Sequence, residues 1–249
     1  MKRILAIVLL LQTNVLVADT IFGGEVGGYY WSYSVDGAYA DSQNLTRFSF
    51  DDSDEMVIYA SLEHPIPLIP NIKLRNNPLE NDGSVTLNSD FDFEGVTFPV
   101  GTEVATQSNL TNRDIVLYYE FLDNSLVSFD LGANFKWIDG SFTANSLTTP
   151  GLGASQDIQV IVPMLYGKLR ADLWGTGLYG AAEANYIGMD DNHLQDYQIS
   201  VGYALIDNLA ITLNVEAGYR VMDLQVEDVD DIYADFRTDG AWLGIALDF

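Results

Sequence analysis

The chain alternates apolar and polar side chains with a period of two over several long stretches, and beyond its first residues it has no apolar run of helical spanning length. Val127, Phe129, Leu131, Ala133, Phe135 and Trp137 share one strand face, with Ser128, Asp130, Gly132, Asn134 and Lys136 on the other. The same dyad recurs over Ile115–Phe121, Tyr197–Leu205 and Leu209–Val221. A soluble sandwich also alternates. Here, however, Asp130, Lys136, Glu216 and Arg220 fall mid-strand on the polar face, where the lumen of a closed sheet can pair them. The last nine residues, Ala241 to Phe249, form another alternating strand that would be an aggregation-prone apolar edge unless it closed a barrel.

The start of the chain reads as an export signal. Met1-Lys2-Arg3 is basic, Ile4 to Leu11 is continuously apolar, and Leu16-Val17-Ala18 offers a cleavage site, so residues 1–18 are expected to be removed and 19–249 to form the mature domain. Eight apolar residues are far short of the roughly 20 that a spanning helix requires. An exported chain of this kind enters a membrane as a closed barrel, the other fold that satisfies every backbone group in lipid.

Charge and cysteine usage exclude several function classes. With no Cys there is no disulfide scaffold, thiol nucleophile or cysteine metal site. Asp and Glu number 36 against 11 Lys and Arg, and a net charge of −25 repels nucleic acid. The 14 Tyr, 12 Phe and 21 Gly suit interfacial girdles and tightly packed strands.

The alternation places ten strands, with 8 or 12 as alternatives, in an antiparallel up-and-down transmembrane β-barrel. Short turns are expected near residues 63–71, 122–125, 171–176 and 206–208, facing the periplasm, and longer outer loops near 38–54, 79–112, 139–156, 188–195 and 223–238. Those loops hold 19 of the 36 acidic residues but only Arg47 and Arg237 among the basic ones. The outer rim is therefore expected to be anionic. Asp51, Asp52 and Asp54, and Asp228, Asp230 and Asp231, are candidate ligands for Ca²⁺ or Mg²⁺ shared with lipopolysaccharide phosphates, although Ile232 and Tyr233 stand where a calcium loop needs an oxygen ligand and a glycine. Solvated acidity is the plainer reading.

Two histidines are available for acid–base chemistry. His64, in His64-Pro65-Ile66-Pro67, belongs to a turn. His193, in Met189-Asp190-Asp191-Asn192-His193, has the residue types of an omptin-like Asp–His pair, with Asp51-Asp52 as the second carboxylate pair, but no surrounding motif. Gly23-Gly24-Glu25-Val26-Gly27-Gly28 lacks the spacing of a nucleotide loop.

The segments His64–Asn71, Tyr118–Asn124, Pro163–Tyr166 and Glu216–Arg220, with Asp239-Gly240 and the terminal Phe249, resemble a family of small outer-membrane β-barrel proteins of Gram-negative bacteria. The terminal Phe249 resembles the aromatic signal by which the barrel assembly machinery recognises such chains. The resemblance implies an outer-membrane location with lipid and lipopolysaccharide as neighbours, and it supplies no catalytic residue or cofactor. The expected function is a structural or surface-interaction role with no enzymatic activity; a narrow solute channel and a rim hydrolase of omptin or lipid A-modifying type are the alternatives. Glu120, Asp130, Lys136, Glu183, Glu216 and Arg220 are expected to form a lumen network.

Overall fold

The computed structural model describes residues 22–40, 45–229 and 232–249. The expected signal peptide, Asp230, Asp231 and the side chain of Asp228 lie outside them. Among the described residues the chain forms strands and no helix. In order these are β1 (Gly23–Ala40), β2 (Thr46–Phe50), β3 (Ser53–Glu63), β4 (Asn71–Asn77), β5 (Glu80–Thr86), β6 (Phe91–Phe93), β7 (Val96–Phe98), β8 (Glu103–Asn109), β9 (Asn112–Asp123), β10 (Val127–Ser146), β11 (Gly153–Leu173), β12 (Leu178–Met189), β13 (Asn192–Asp207), β14 (Thr212–Val229) and β15 (Ile232–Asp248).

Three of the staves are interrupted. β3 lies between β1 and β4, and β2 between β1 and β5; β4 and β5 in turn meet β9 and β8, which both reach β10. Thus β2–β3, β4–β5 and β8–β9 each run as one stave with a break. Pro78, which has no N–H to give a ladder, marks the second break. From β10 to β15 each strand pairs antiparallel with the next, and β15 returns to β1 from Glu25↔Asp248 to Ala40↔Tyr233. The sheet is a ring of about ten staves.

The expected short turns sit at one end, together with Gly23 and Phe249. At the opposite end, called here the far end, the expected long loops are instead mostly strand. β1 runs to Ala40, β10 to Ser146 and β14 to Val229, and the segment expected as a loop at 188–195 narrows to a turn at Asp190–Asp191, where Asp190 has φ 55°. The expected loop at 79–112 contains β5 to β8. These segments escaped because the alternation continues there with its polarity reversed. Toward the turns, apolar residues face outward: Leu165, Ile199, Val201, Leu243 and Ile245 are 59–68% exposed. Toward the far end the wall turns polar and the interior apolar. Phe142 and Ala144 point in while Ser141 and Thr143 alternate with them; Ala234 and Phe236 point in while Asp235 and Arg237 are exposed. A rule of apolar outside and polar inside reads such a stretch as a loop.

Length agrees with two zones. β11 has 21 residues, whereas a tilted strand crosses a membrane in about 9–11. The interior is layered in the same direction. On β14, Glu216 borders a cavity, Arg220 belongs to a charged network, Met222 belongs to the cluster that includes Trp31 and Tyr33, and Leu224 and Val226 pack on a phenylalanine cluster. That last cluster is built on the β6–β7 hairpin, which folds inward so that Phe91, Phe93 and Phe98 are at most 1% exposed, against Tyr39, Phe48 and Phe142. Stacked, tilted and edge-on ring pairs, with centroids 5.4–6.0 Å apart, join Phe91, Phe93, Phe98, Tyr39, Phe48 and Phe142.

Candidate lumen site

The strand period brings four cations and three carboxylates into the middle of the lumen. Lys73 and Arg75 come from β4, Asp114 from β9, Lys136 from β10, Glu183 from β12, Asp196 from β13 and Arg220 from β14, and every side chain is at most 7% exposed. Arg220 grips Asp196 through both carboxylate oxygens, with Nε donating at 2.8 Å and Nη2 at 2.7 Å. Its Nη1 donates to Asn77 at 2.9 Å and to the Tyr29 hydroxyl at 3.0 Å, and its guanidinium lies 4.8 Å from the Trp31 ring centroid. Lys136 bridges Asp114 at 2.8 Å and Asp196 at 3.0 Å. Arg75 links Asp114 at 2.8 Å to Glu183 at 2.7 Å, where Lys73 also ends at 2.7 Å. Asn112 and Asn134 supply further polar links, Asn112 accepting from Lys136 and Asn134 donating to Asp114 and Asn185. Charges so deep persist when paired and hydrogen-bonded, and each of the seven has an opposite charge within 3.0 Å, with one cation in excess and Arg75 Nη2 ion-paired to Asp114 without a hydrogen bond.

The six residues expected in a lumen network separate into three groups. Lys136, Glu183 and Arg220 belong to this one. Glu216 lies nearer the turns and accepts from Tyr179 at 2.7 Å and Tyr59 at 3.4 Å. Asp130 is buried, and Glu120 is exposed near the turn end, where Asn71 donates to it at 3.3 Å. Lys73, Arg75, Asp114 and Asp196 were not singled out. Their signal was present, since Asn71, Lys73, Arg75 and Asn77 are polar at every second position around Ile72 and Leu74.

Below the network is a small, partly open cavity bordered by Glu25, Lys168, Arg170, Tyr179, Gln198 and Glu216 among others. Lys168 lies 3.5 Å from Glu25. Arg170 stacks 3.6 Å from the Tyr179 ring centroid and binds Asp172 at 2.9 Å. Gly218 leaves the space in which the Trp242 indole lies across β14; a Cβ there would stand 2.5 Å from the ring.

The other expected sites lie on the outside or at the breaks. Among the described residues no three His, Asp or Glu side chains converge as metal ligands; Asp51 and Asp52 are exposed at the β2–β3 break, and Asp54 is exposed on β3. His193 pairs with Asp223 at 2.7 Å, a residue 30 positions away, rather than with Asp191. Asp223 also meets Arg237 at 3.4 Å, and Arg237 meets Asp239 at 3.2 Å, all on the outer face of β13 to β15. The ring order separates His193 from Asp51 and Asp52, which stand beside β5. His64 ties its own turn together, its Nδ1 accepting from the Ile66 N–H at 3.3 Å and its Nε2 meeting the Pro70 carbonyl at 3.2 Å.

No protein-family model matches the sequence, and no curated protein matches it. Among solved structures, the outer membrane protease OmpT of Escherichia coli is similar over 96% of this chain and 99% of its own, at 11% identity and a TM-score of 0.53. The fold is that of an outer-membrane β-barrel. The translocator domain of the autotransporter NalP from Neisseria meningitidis aligns over 90% of this chain and 88% of its own at 10% identity, with a TM-score of 0.45. At such identities the likeness is one of fold.

Proposed function

We propose that the mature chain, residues 19–249 after removal of a Sec signal peptide, is a ten-stranded barrel of the bacterial outer membrane. In this reading it has a structural or surface-interaction role and is neither an open channel nor an enzyme. The observation that carries this is the reversal of polarity along the staves. An apolar wall around a charged lumen suits lipid, and a polar wall around an aromatic core suits water. The chain thus anchors a rigid acidic stalk at the cell surface, with the short turns in the periplasm and lipopolysaccharide around the junction of the two zones. The ion-paired network, the cluster around Trp31 and Tyr33 and the inward-folded hairpin fill the lumen above the cavity, which argues against conduction. Phe249 supports assembly: its backbone exchanges two 3.0 Å hydrogen bonds with Gly24, joining the two ends of the mature chain.

Outer-membrane fractionation combined with heat-modifiable gel migration tests the location and the barrel together. The expected result is a urea-resistant outer-membrane band that shifts on boiling; recovery as a soluble periplasmic protein would refute it. Planar bilayers should record no discrete conductance steps, and steady openings would favour the channel alternative.

A further inference from the structure

We infer that the cavity on the turn side of the charged network is a binding site for a small zwitterion carrying one carboxylate and one ammonium group. The surrounding polar groups are unevenly satisfied. Lys73 is taken up by Glu183 at 2.7 Å and Arg170 by Asp172 and the face of Tyr179; Arg75 donates to Asp114 through Nε and to Glu183 through Nη1 at 2.7–2.8 Å, while its Nη2, ion-paired with Asp114, makes no hydrogen bond among the described residues. Lys168, in contrast, has its nearest carboxylate, Glu25, at 3.5 Å, beyond a good charge-assisted hydrogen bond. Trp242 lines the same cavity, is 5% exposed, and its indole N–H has no acceptor among the described residues. These are two donors awaiting a negative group.

On the acceptor side, among the described residues the buried Gln198 Oε1 has no donor, and Glu216 accepts from the hydroxyls of Tyr59 and Tyr179 with no cation within ion-pair distance. A buried polar atom left unpaired carries a desolvation cost that a ligand pairing it removes. A carboxylate placed on Lys168 and the Trp242 N–H, with its ammonium on Gln198 and Glu216, satisfies all four groups and leaves the net charge of the lumen unchanged. A simple anion would meet the three carboxylates at the cavity wall, and a simple cation its four basic groups. The zwitterion is the species both sets accept.

The inference depends on the proposed function only through the barrel fold, and the test separates the two. The full mature chain, refolded in detergent and verified by a boiling-dependent gel shift, is titrated with glycine, acetate and methylammonium while the Trp242 indole N–H resonance is followed, assigned by its loss in Trp242→Phe. Glycine is expected to shift that resonance saturably, with acetate and methylammonium at least tenfold weaker. Lys168→Met, still showing the gel shift, should weaken glycine at least tenfold. A response to acetate equal to that for glycine, or no response to any probe in folded protein, would overturn the inference.

Discussion

Asp196→Asn is the sharpest single test of the lumen network. The carboxylate accepts from Arg220 at 2.8 and 2.7 Å and from Lys136 at 3.0 Å. Charge-assisted bonds contribute about 1.5–3 kcal/mol each, so three amount to roughly 5–9 kcal/mol before relaxation. Some of that is recovered, because Lys136 keeps Asp114 at 2.8 Å and Arg220 keeps Asn77 and Tyr29. What remains is the cost of leaving one buried charge uncompensated, about 3–5 kcal/mol. In the wild type four cations face three carboxylates; the substitution makes this four against two, and adding Arg220→Met restores an excess of one. The double variant should therefore be more stable than the sum of the single losses implies, by about 2 kcal/mol. Urea titration in vesicles, with the folded fraction read from the gel shift before boiling, measures all four members of the cycle. A loss below about 1 kcal/mol for Asp196→Asn, or strict additivity in the double variant, would refute the argument that these charges act as one unit.

Other outcomes follow from the same structure. Leu165→Arg, at a site 68% exposed on the apolar wall, should cost about 2–4 kcal/mol in lipid, while Gln159→Arg on the same outward face of β11 but nearer the far end should be close to neutral in the same urea titration. Phe93→Ala removes a fully buried ring from the hairpin and should lower stability by about 3–5 kcal/mol in the same urea titration; an unchanged midpoint would contradict the packing seen for Phe93. Phe249→Asp should leave synthesis and export intact but block insertion, with unfolded chain collecting in the periplasm by fractionation and immunoblot.

Period-two alternation, read along the chain, determined much of this protein by itself. It located the strands at Ile115–Phe121, Val127–Trp137 and Tyr197–Leu205, the four short turns, and the inward direction of Lys136, Glu183 and Arg220, because in a membrane barrel the side-chain period maps directly onto two different solvents. Where the outside solvent changes, the same rule fails. Ser141–Asn145, Asp223–Glu227 and Ala234–Arg237 alternate as strictly as the segments below them, but with the apolar residues inward, and the sequence carries no mark of the height at which lipid gives way to water. The Phe91–Phe98 hairpin is equally silent, since Asp92 and Glu94 between its rings read as solvated loop until the hairpin is folded into the mouth. Pairing was also beyond local reading: Arg220 meets Asn77 across 143 residues and Tyr29 across 191, and His193 finds Asp223 instead of the aspartates beside it. A local pattern fixes which way a side chain points. Only closure of the ring decides which charges, drawn from seven positions on six staves, share one dry interior and neutralise each other there.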